Sequence, residues 1–406
     1  MKTPWFLLVV AGFAMGSLPA LGGDWPQWRG PNRDAKAAGF DAPKSWPKEL
    51  TQKWKVPVGD GVATPALVGD KLYVFARQGG NEVTRCLDAA TGKELWQDKY
   101  EAQGATGPAA GFAGPRSSPA VADGKVVTLG VRGTLSCLDA ATGTKLWRKD
   151  EFKGAPRFFT SSSPIVVDGL CIAQLGGESS GAIVAYELAT GNEKWKWTGD
   201  GTAYASPALL TLGDAKMIVG ETARKIVGLG LVDGKLLWET PFAVTGARGY
   251  NAATPMVDGQ TVLYSGSGRG TKAVKIEKQG DVFAAQEFWS NGENSVQYNT
   301  PVLKNGLIFG LSAGDSFFCI NAETGKTLWT ASIRGRKGYG SIVDAGPVLL
   351  GLTPNAQLLV FEPSDKEYKL VVSYKVADGE TYAYPVVTGN RIFIKDKDTV
   401  TLWTLE

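Results

Sequence analysis

Histidine is missing from all 406 residues. With it go the usual general base at neutral pH and the commonest transition-metal ligand. An excess of charge of either sign is missing too. Lys plus Arg is 43 and Asp plus Glu is 40, a net charge of +3 that is too balanced to argue for nucleic acid. After the first 22 residues there is no apolar run long enough to cross a bilayer. No segment carries a convincing helical period. What abounds is glycine, 52 residues, and tryptophan, 13. Glycine feeds turns and tryptophan feeds packing between sheets.

The tryptophans sit in a repeat. Cys137-Leu-Asp-Ala-Ala-Thr-Gly-Thr-Lys-Leu-Trp147 reads as the end of a strand, a tight turn and the start of the returning strand. Asp139 can turn its carboxylate onto backbone N–H groups of the turn, Thr142 offers a hydroxyl, and Gly143 takes the positive φ that a Cβ resists. The pattern recurs at Cys86–Trp96, Ala185–Trp195, Gly228–Trp238 and Cys319–Trp329, always with four residues from glycine to tryptophan. Two degenerate copies follow. Ala273 to Trp289 carries Gly280 in an enlarged turn, and Val360 to Tyr374 has lost the glycine and replaced Trp with Tyr.

Each repeat opens with a Ser/Thr-Pro pair and a short strand, then a Gly-Asp or Asp-Gly turn and an alternating apolar strand. The strand ending in the Asp-x-x-Thr-Gly turn comes next, and the tryptophan strand closes the unit. The opening prolines are Pro65, Pro119, Pro164, Pro207, Pro255, Pro301 and Pro385, with Ile342 taking the place once. Seven steps from Pro65 to Pro385 are about 46 residues each, room for four short strands. The last copy offers three strands and stops. The strand at Leu50–Pro57, carrying Trp54 and lacking a hairpin partner, supplies the fourth. The sequence therefore predicts an all-β chain, an eight-bladed β-propeller of four-stranded antiparallel blades over residues 50–406, with the N-terminal strand closing the last blade.

Residues 1–22 read as a secretory signal: Lys2, an apolar run from Trp5 to Leu18, and small residues at Ala20 and Gly22 that favour cleavage before Gly23. No cysteine follows that run, so no lipid-anchor site is expected. Residues 23–49 form an aromatic, proline-broken extension. The mature chain is expected to be periplasmic or secreted. Four cysteines in an oxidising compartment suggest disulfides, but Cys86, Cys137 and Cys319 fill one equivalent place on different blades, about one sheet-packing distance (~10 Å) apart, beyond bridging reach. Buried free thiols are expected, with Cys171 in the core of another strand.

The Ala-x-Asp-x-x-Thr-Gly-x-x-x-Trp syntax resembles the tryptophan-docking motif of the eight-bladed quinoprotein alcohol dehydrogenases. The Trp25-Pro-Gln-Trp-Arg-Gly-Pro31 opening is similar to that of secreted bacterial proteins with pyrroloquinoline-quinone-like (PQQ-like) repeats. The dehydrogenases add long insertions, a vicinal Cys-Cys ring and a Ca²⁺ held beside a catalytic Asp. This chain has no Cys-Cys pair and no acidic cluster in its blade-joining loops. The other similar family is the outer-membrane assembly factor, an eight-bladed periplasmic lipoprotein that binds its partner through loops. These resemblances imply a non-catalytic binding or assembly propeller of the cell envelope, without cofactor or metal. The alternative is a quinone-dependent oxidoreductase using PQQ with calcium.

Propellers bind at the mouth of the central channel, through loops entering the innermost strands. Those loops hold Arg116, Arg157, Tyr204, Arg248, Tyr250, Asn251, Gln297, Tyr298, Arg336, Tyr339, Tyr382 and Tyr384. Interleaved Arg and Tyr suit an envelope protein or peptide, a peptide carboxylate, or a small anionic or planar ligand. Equally, they could fill a wide, wet channel and bond to backbone carbonyls. The chain is expected to act as a monomer. Gly266-Ser-Gly-Arg-Gly270 follows a strand and precedes no helix, which makes it weak as a nucleotide loop.

Overall fold

The computed structural model describes residues 23–244, 249–333 and 339–406. The proposed leader, residues 1–22, lies outside them, as do Arg248 and Arg336. Among the described residues no helix is long and apolar enough to cross a membrane. The strands make eight antiparallel sheets of four. Blade 1 comprises Ala66–Val68, Lys71–Gln78, Asn81–Asp88 and Glu94–Glu101. Blades 2 to 7 follow over 120–149, 165–197, 208–241, 256–291, 302–332 and 341–375. Blade 8 takes Val386–Thr388, Arg391–Lys395 and Thr399–Thr404 from the end of the chain and Thr51–Pro57 from its start. Trp54 pairs with Leu402 in that last seam.

The repeat turn folds as its residues dictate. Asp139 Oδ1 accepts from the N–H groups of Ala141 and Thr142 and from the Thr142 hydroxyl, at 2.8–3.0 Å. Those bonds, the hydroxyl's first, hold its carboxyl below the usual range. Gly143 has φ +75°. A second demand falls on the same glycine, because the Trp96 indole of blade 1 lies against it, and a Cβ there would intrude on the ring. The Trp96 Nε1–H then donates to the carbonyl of Ala140 at 3.2 Å. Equivalent bonds join Trp54 to Ala89, Trp147 to Leu188, Trp195 to Leu231 and Trp289 to Ala322. In each case the indole of one blade covers the turn glycine of the next: Gly92, Gly191, Gly234 and Gly325.

The seam between blades 4 and 5 is different. Trp238 Nε1 points to Met217 Sδ in its own blade at 3.0 Å, and the indole covers the place where a Cβ of Gly228 would be. That is why glycine stands here where other copies have Cys or Ala. Blade 5 offers no turn to receive the indole. Its strands Thr271–Gln279 and Val282–Asn291 run on to Gly280 and Asp281. The expected enlarged turn is thus a tight two-residue turn on a lengthened hairpin. The four cysteines are buried and free. Cys86, Cys137 and Cys319 each lie opposite the blade's tryptophan, and burial pushes the Cys137 and Cys319 thiols up to about 12.

The Ser/Thr-Pro pairs make a second, inner seam. The N–H of Thr64 donates to the Ser118 hydroxyl, Ser118 to Ser163, Ser163 to Ser206, Ser206 to Thr254 and Thr254 to Thr300, at 2.9–3.2 Å. The N–H of Tyr384 donates to the Thr64 hydroxyl at 2.9 Å, joining blade 8 to blade 1. Proline fixes the backbone just after each hydroxyl and contributes no N–H of its own.

The N-terminal extension enters this ring. Trp25 and Leu67 exchange backbone bonds at 2.8 and 2.9 Å (blade 1), and Val121 N–H donates to Pro26 (blade 2). Arg33 donates to the carbonyls of Ser163 and Pro164 (blade 3), and Trp28 to the Thr254 hydroxyl (blade 5). Arg29 donates to the carbonyls of Thr300 and Pro301 (blade 6) and to the Tyr384 hydroxyl (blade 8), at 2.8–3.0 Å. Ala35 and Ala37 bond to Asp344 (blade 7). Residues 25–37 therefore bridge seven of the eight blades. Arg29 is fully buried and Arg33 nearly so.

Two outcomes follow. Gly143→Ala should destabilise by more than Gly124→Ala in denaturant melts. Both glycines have positive φ, so each substitution loses about 1–2 kcal/mol for a left-handed alanine; only Gly143 is covered by a ring, while nothing lies within 4 Å of a Cβ at Gly124. Arg29→Met should lower stability by roughly 3 kcal/mol or more, since it strips charged donors from buried carbonyls; thermal unfolding measures it.

Candidate functional site: an aromatic cup at the channel mouth

Above the extension the loops that enter the inner strands surround a cavity of about 460 Å³. Its wall is an arc of rings. Phe158 meets Tyr250 edge-on at 5.0 Å between centroids, and Tyr250 lies 5.9 Å from Tyr298. Tyr298 and Tyr339 stack at 4.3 Å, Tyr339 meets Tyr382 at 5.1 Å, and Tyr382 meets Phe112 at 4.9 Å. Tyr204 closes on Tyr250 at 6.0 Å. Trp28, Ser206 and Thr254 line the cavity deeper in. Trp28 packs edge-on against Tyr384 at 4.8 Å, so the extension closes the cup below.

The loops hold these rings by bonds to their neighbours. The Tyr204 hydroxyl donates to Glu178 Oε1 at 2.9 Å and accepts the Phe158 N–H at 3.1 Å. Burial, above all, pushes the Tyr204 and Tyr298 phenols well up, so both stay protonated donors. Arg116 Nη2 donates to the carbonyls of Phe112 at 2.8 Å and Ala109 at 3.3 Å, clamping the short 3₁₀ turn Gly107–Phe112 against the cup. Its Nη1 is buried and has no partner among the described residues. Burial lowers the Arg116 pKa, and Asp60, Tyr204 and Tyr339 oppose that.

Of the residues singled out from the sequence, Arg116, Tyr204, Tyr250, Tyr298, Tyr339 and Tyr382 line the cup. Four do not. Arg157 lies over the Phe158 ring, 5.3 Å from its centroid. Asn251 is buried and donates to the carbonyls of Thr222 and Phe242, Gln297 donates to the Tyr298 hydroxyl, and Tyr384 sits beneath, bonded to Arg29 and Thr300. Trp28, Phe112 and Phe158 join the wall or floor. Phe158 stands in the aromatic loop Arg157–Phe159. Phe112 could have been found from the run Gly104–Gly114, a longer Gly/Ala/Pro link than joins the other blades. Trp28 gave no local signal.

Behind Tyr250 lies a buried acid. Glu221 is fully buried, and among the described residues neither carboxylate oxygen has a hydrogen-bond partner. Arg269 acts on it while donating to the carbonyls of Phe242 and Tyr250. Burial raises Glu221 well above its ordinary 4.5. The folded protein thus keeps a proton that the unfolded chain releases. Its contribution is fully present below about pH 4.5 and lost as pH rises through the higher folded value. Glu221→Gln should therefore flatten stability against pH, with the variant the more stable at pH 8 and the advantage gone at pH 4. Urea melts at both pH values test this.

Eight four-stranded sheets, indole-on-glycine seams and loops converging on one mouth define a PQQ-like β-propeller protein. The sequence matches over residues 46–196, 79–331 and 314–406 the family described as outer membrane protein assembly factor BamB. The chain belongs to that family. It is 25% identical over 366 residues to the factor from Burkholderia pseudomallei, covering 86% of each chain. It is 33% identical over 143 residues to the quinohemoprotein alcohol dehydrogenase of Comamonas testosteroni, but there spans 33% of this chain and 19% of the relative. Among solved structures, BamB from Moraxella catarrhalis superposes with a TM-score of 0.64 at 17% identity, covering 87% of this chain and 97% of the other. At that identity the likeness concerns the fold.

Proposed function

We propose that this protein is a non-catalytic binding propeller of the cell envelope, exported by its first 22 residues, which receives a protein partner at the aromatic mouth. One observation carries the reading. Six loops and one inter-blade turn bring Phe112, Phe158 and five tyrosines to one solvent-facing rim. Such a concentration of large amphipathic rings is the composition of binding hot spots. The family to which the chain belongs, described as an assembly factor of the outer membrane, supports the same reading.

The quinone alternative is supported by the partial match to the dehydrogenases. Against it stands the donor set. A quinone bearing several carboxylates with a divalent cation calls for several basic groups and clustered acids. Among the described residues Arg116 is the one charged side chain lining the cup, and no three acidic or thiol side chains gather to hold a metal. We therefore derive no step through that group.

A photo-crosslinking residue at Tyr339 should capture an outer-membrane assembly protein in the native envelope, and the same residue at Val282, on the tip of the blade 5 hairpin, should not. Tyr298→Ala with Tyr339→Ala should reduce capture at Tyr382 at least tenfold. Capture only from Val282 would overturn the reading. So would a rise in melting temperature with PQQ and Ca²⁺ accompanied by dye reduction.

A further inference from the structure

We infer that the cup takes an aromatic carboxylate, its flat body between the rings and its single anionic group on Arg116. This deepens the reading of the mouth as a binding site and rests on it.

The argument is one of elimination among ligand chemistries by the groups present. The wall is aromatic on both sides of the opening, from Phe112 and Tyr382 round to Tyr250 and Phe158, with ring spacings of 4.3–5.9 Å. Such walls accept flat apolar bodies or cations. A cation is disfavoured because Arg116 already stands in the lining. A sugar needs bidentate amide or carboxylate partners for its hydroxyls. Among the described residues the polar side chains that line the cup are hydroxyls, the Trp28 indole and Arg116, with no Asp, Glu, Asn or Gln.

Arg116 itself is half used. Nη2 is spent on the Phe112 and Ala109 carbonyls, which fixes the plane of the guanidinium. Nη1 is buried and has no partner among the described residues. Asp60 acts on the charge, yet its Oδ2 takes the Ala113 N–H at 2.9 Å and it makes no ion pair with Arg116. Nη1 has no acceptor among the described residues, a demand that a carboxylate oxygen meets best once a small shift of the side chain presents it to the cup. One open donor group suits one acid. The Ser206 and Thr254 hydroxyls below already accept backbone N–H groups of neighbouring blades, leaving the floor neutral.

The test uses 2-naphthoate and its neutral counterpart 2-naphthylmethanol against the full-length protein, by calorimetry with intrinsic fluorescence as a second readout. The acid should bind saturably at one site and at least tenfold more tightly than the alcohol. Arg116→Gln, which also loosens the clamp on Phe112, should weaken the acid at least tenfold more than it weakens the alcohol, while Arg116→Lys should retain part of the preference. Equal binding of acid and alcohol, unaltered binding of the acid by Arg116→Gln, or no saturable binding of the acid would overturn the inference. If Arg116→Gln does not fold, the acid-to-alcohol ratio on the unmodified protein decides alone.

Two sources of the ligand are separated with the tripeptide Gly-Gly-Phe as free acid and as amide. Binding of the free acid alone, as tight as naphthoate, supports a chain terminus as the natural ligand. Binding of naphthoate without either peptide supports a small free acid. Protein capture at Tyr339 without any acid preference would overturn this inference and keep the partner reading. An acid preference without protein capture would do the reverse.

Discussion

Everything in this molecule depends on how one blade holds the next, and at five of the eight seams the hold is double. Near the axis a backbone N–H of one blade meets a Ser or Thr hydroxyl of the following one. Farther out an indole lies on the turn glycine of the following blade and bonds to a carbonyl beside it. The first joint is polar and directional; the second combines area burial with one directional bond. A four-stranded sheet by itself leaves both faces apolar, so neither joint is an accessory to blades already stable. The inner joint fixes the azimuth of each mouth loop, because those loops end at the very hydroxyls that make it.

The extension uses the same atoms from the other side. Arg29 and Arg33 take up carbonyls of Thr300, Pro301, Ser163 and Pro164, whose residues have no backbone partner inside the channel. A central channel lined by eight inner strand ends would be a wet hole with unsatisfied carbonyls, and a pair of buried guanidiniums with five fixed donors each is suited to filling it. Trp28, carried up by this segment, turns the open channel into a cup with a floor.

The fold was legible because its determinants are local and repeated. Asp, Thr and Gly at fixed offsets spell the turn, and five good copies with a terminal strand lacking a hairpin partner give both the blade number and the closure. The reasons behind two letters were not legible. Gly143 serves its own turn and also the ring of Trp96, and the Ser or Thr before Pro119, Pro164, Pro207, Pro255 and Pro301 serves the preceding blade, about 46 residues back. Both are demands from an adjacent blade, which no single repeat displays. The rim was partly legible: Tyr204, Tyr250, Tyr298, Tyr339 and Tyr382 each stand a few residues before an inner strand. Asn251 and Tyr384 stand there too but point to carbonyls below, and sequence offset does not distinguish the two. The reach of residues 25–37 across seven blades was wholly hidden, because it is written in long-range bonds from a segment without periodicity.

The strand Thr51–Pro57 that completes blade 8 begins 14 positions after Ala37, the end of the segment seated in the axis. The two are therefore captured together. Until Thr399–Thr404 has been synthesised there is nothing for Thr51–Pro57 to pair with, and a circle with a gap cannot grip its axle. Pairing of Thr51–Pro57 with Thr399–Thr404 closes the circle and holds the axle, so the hub and the last seam stand or fall together.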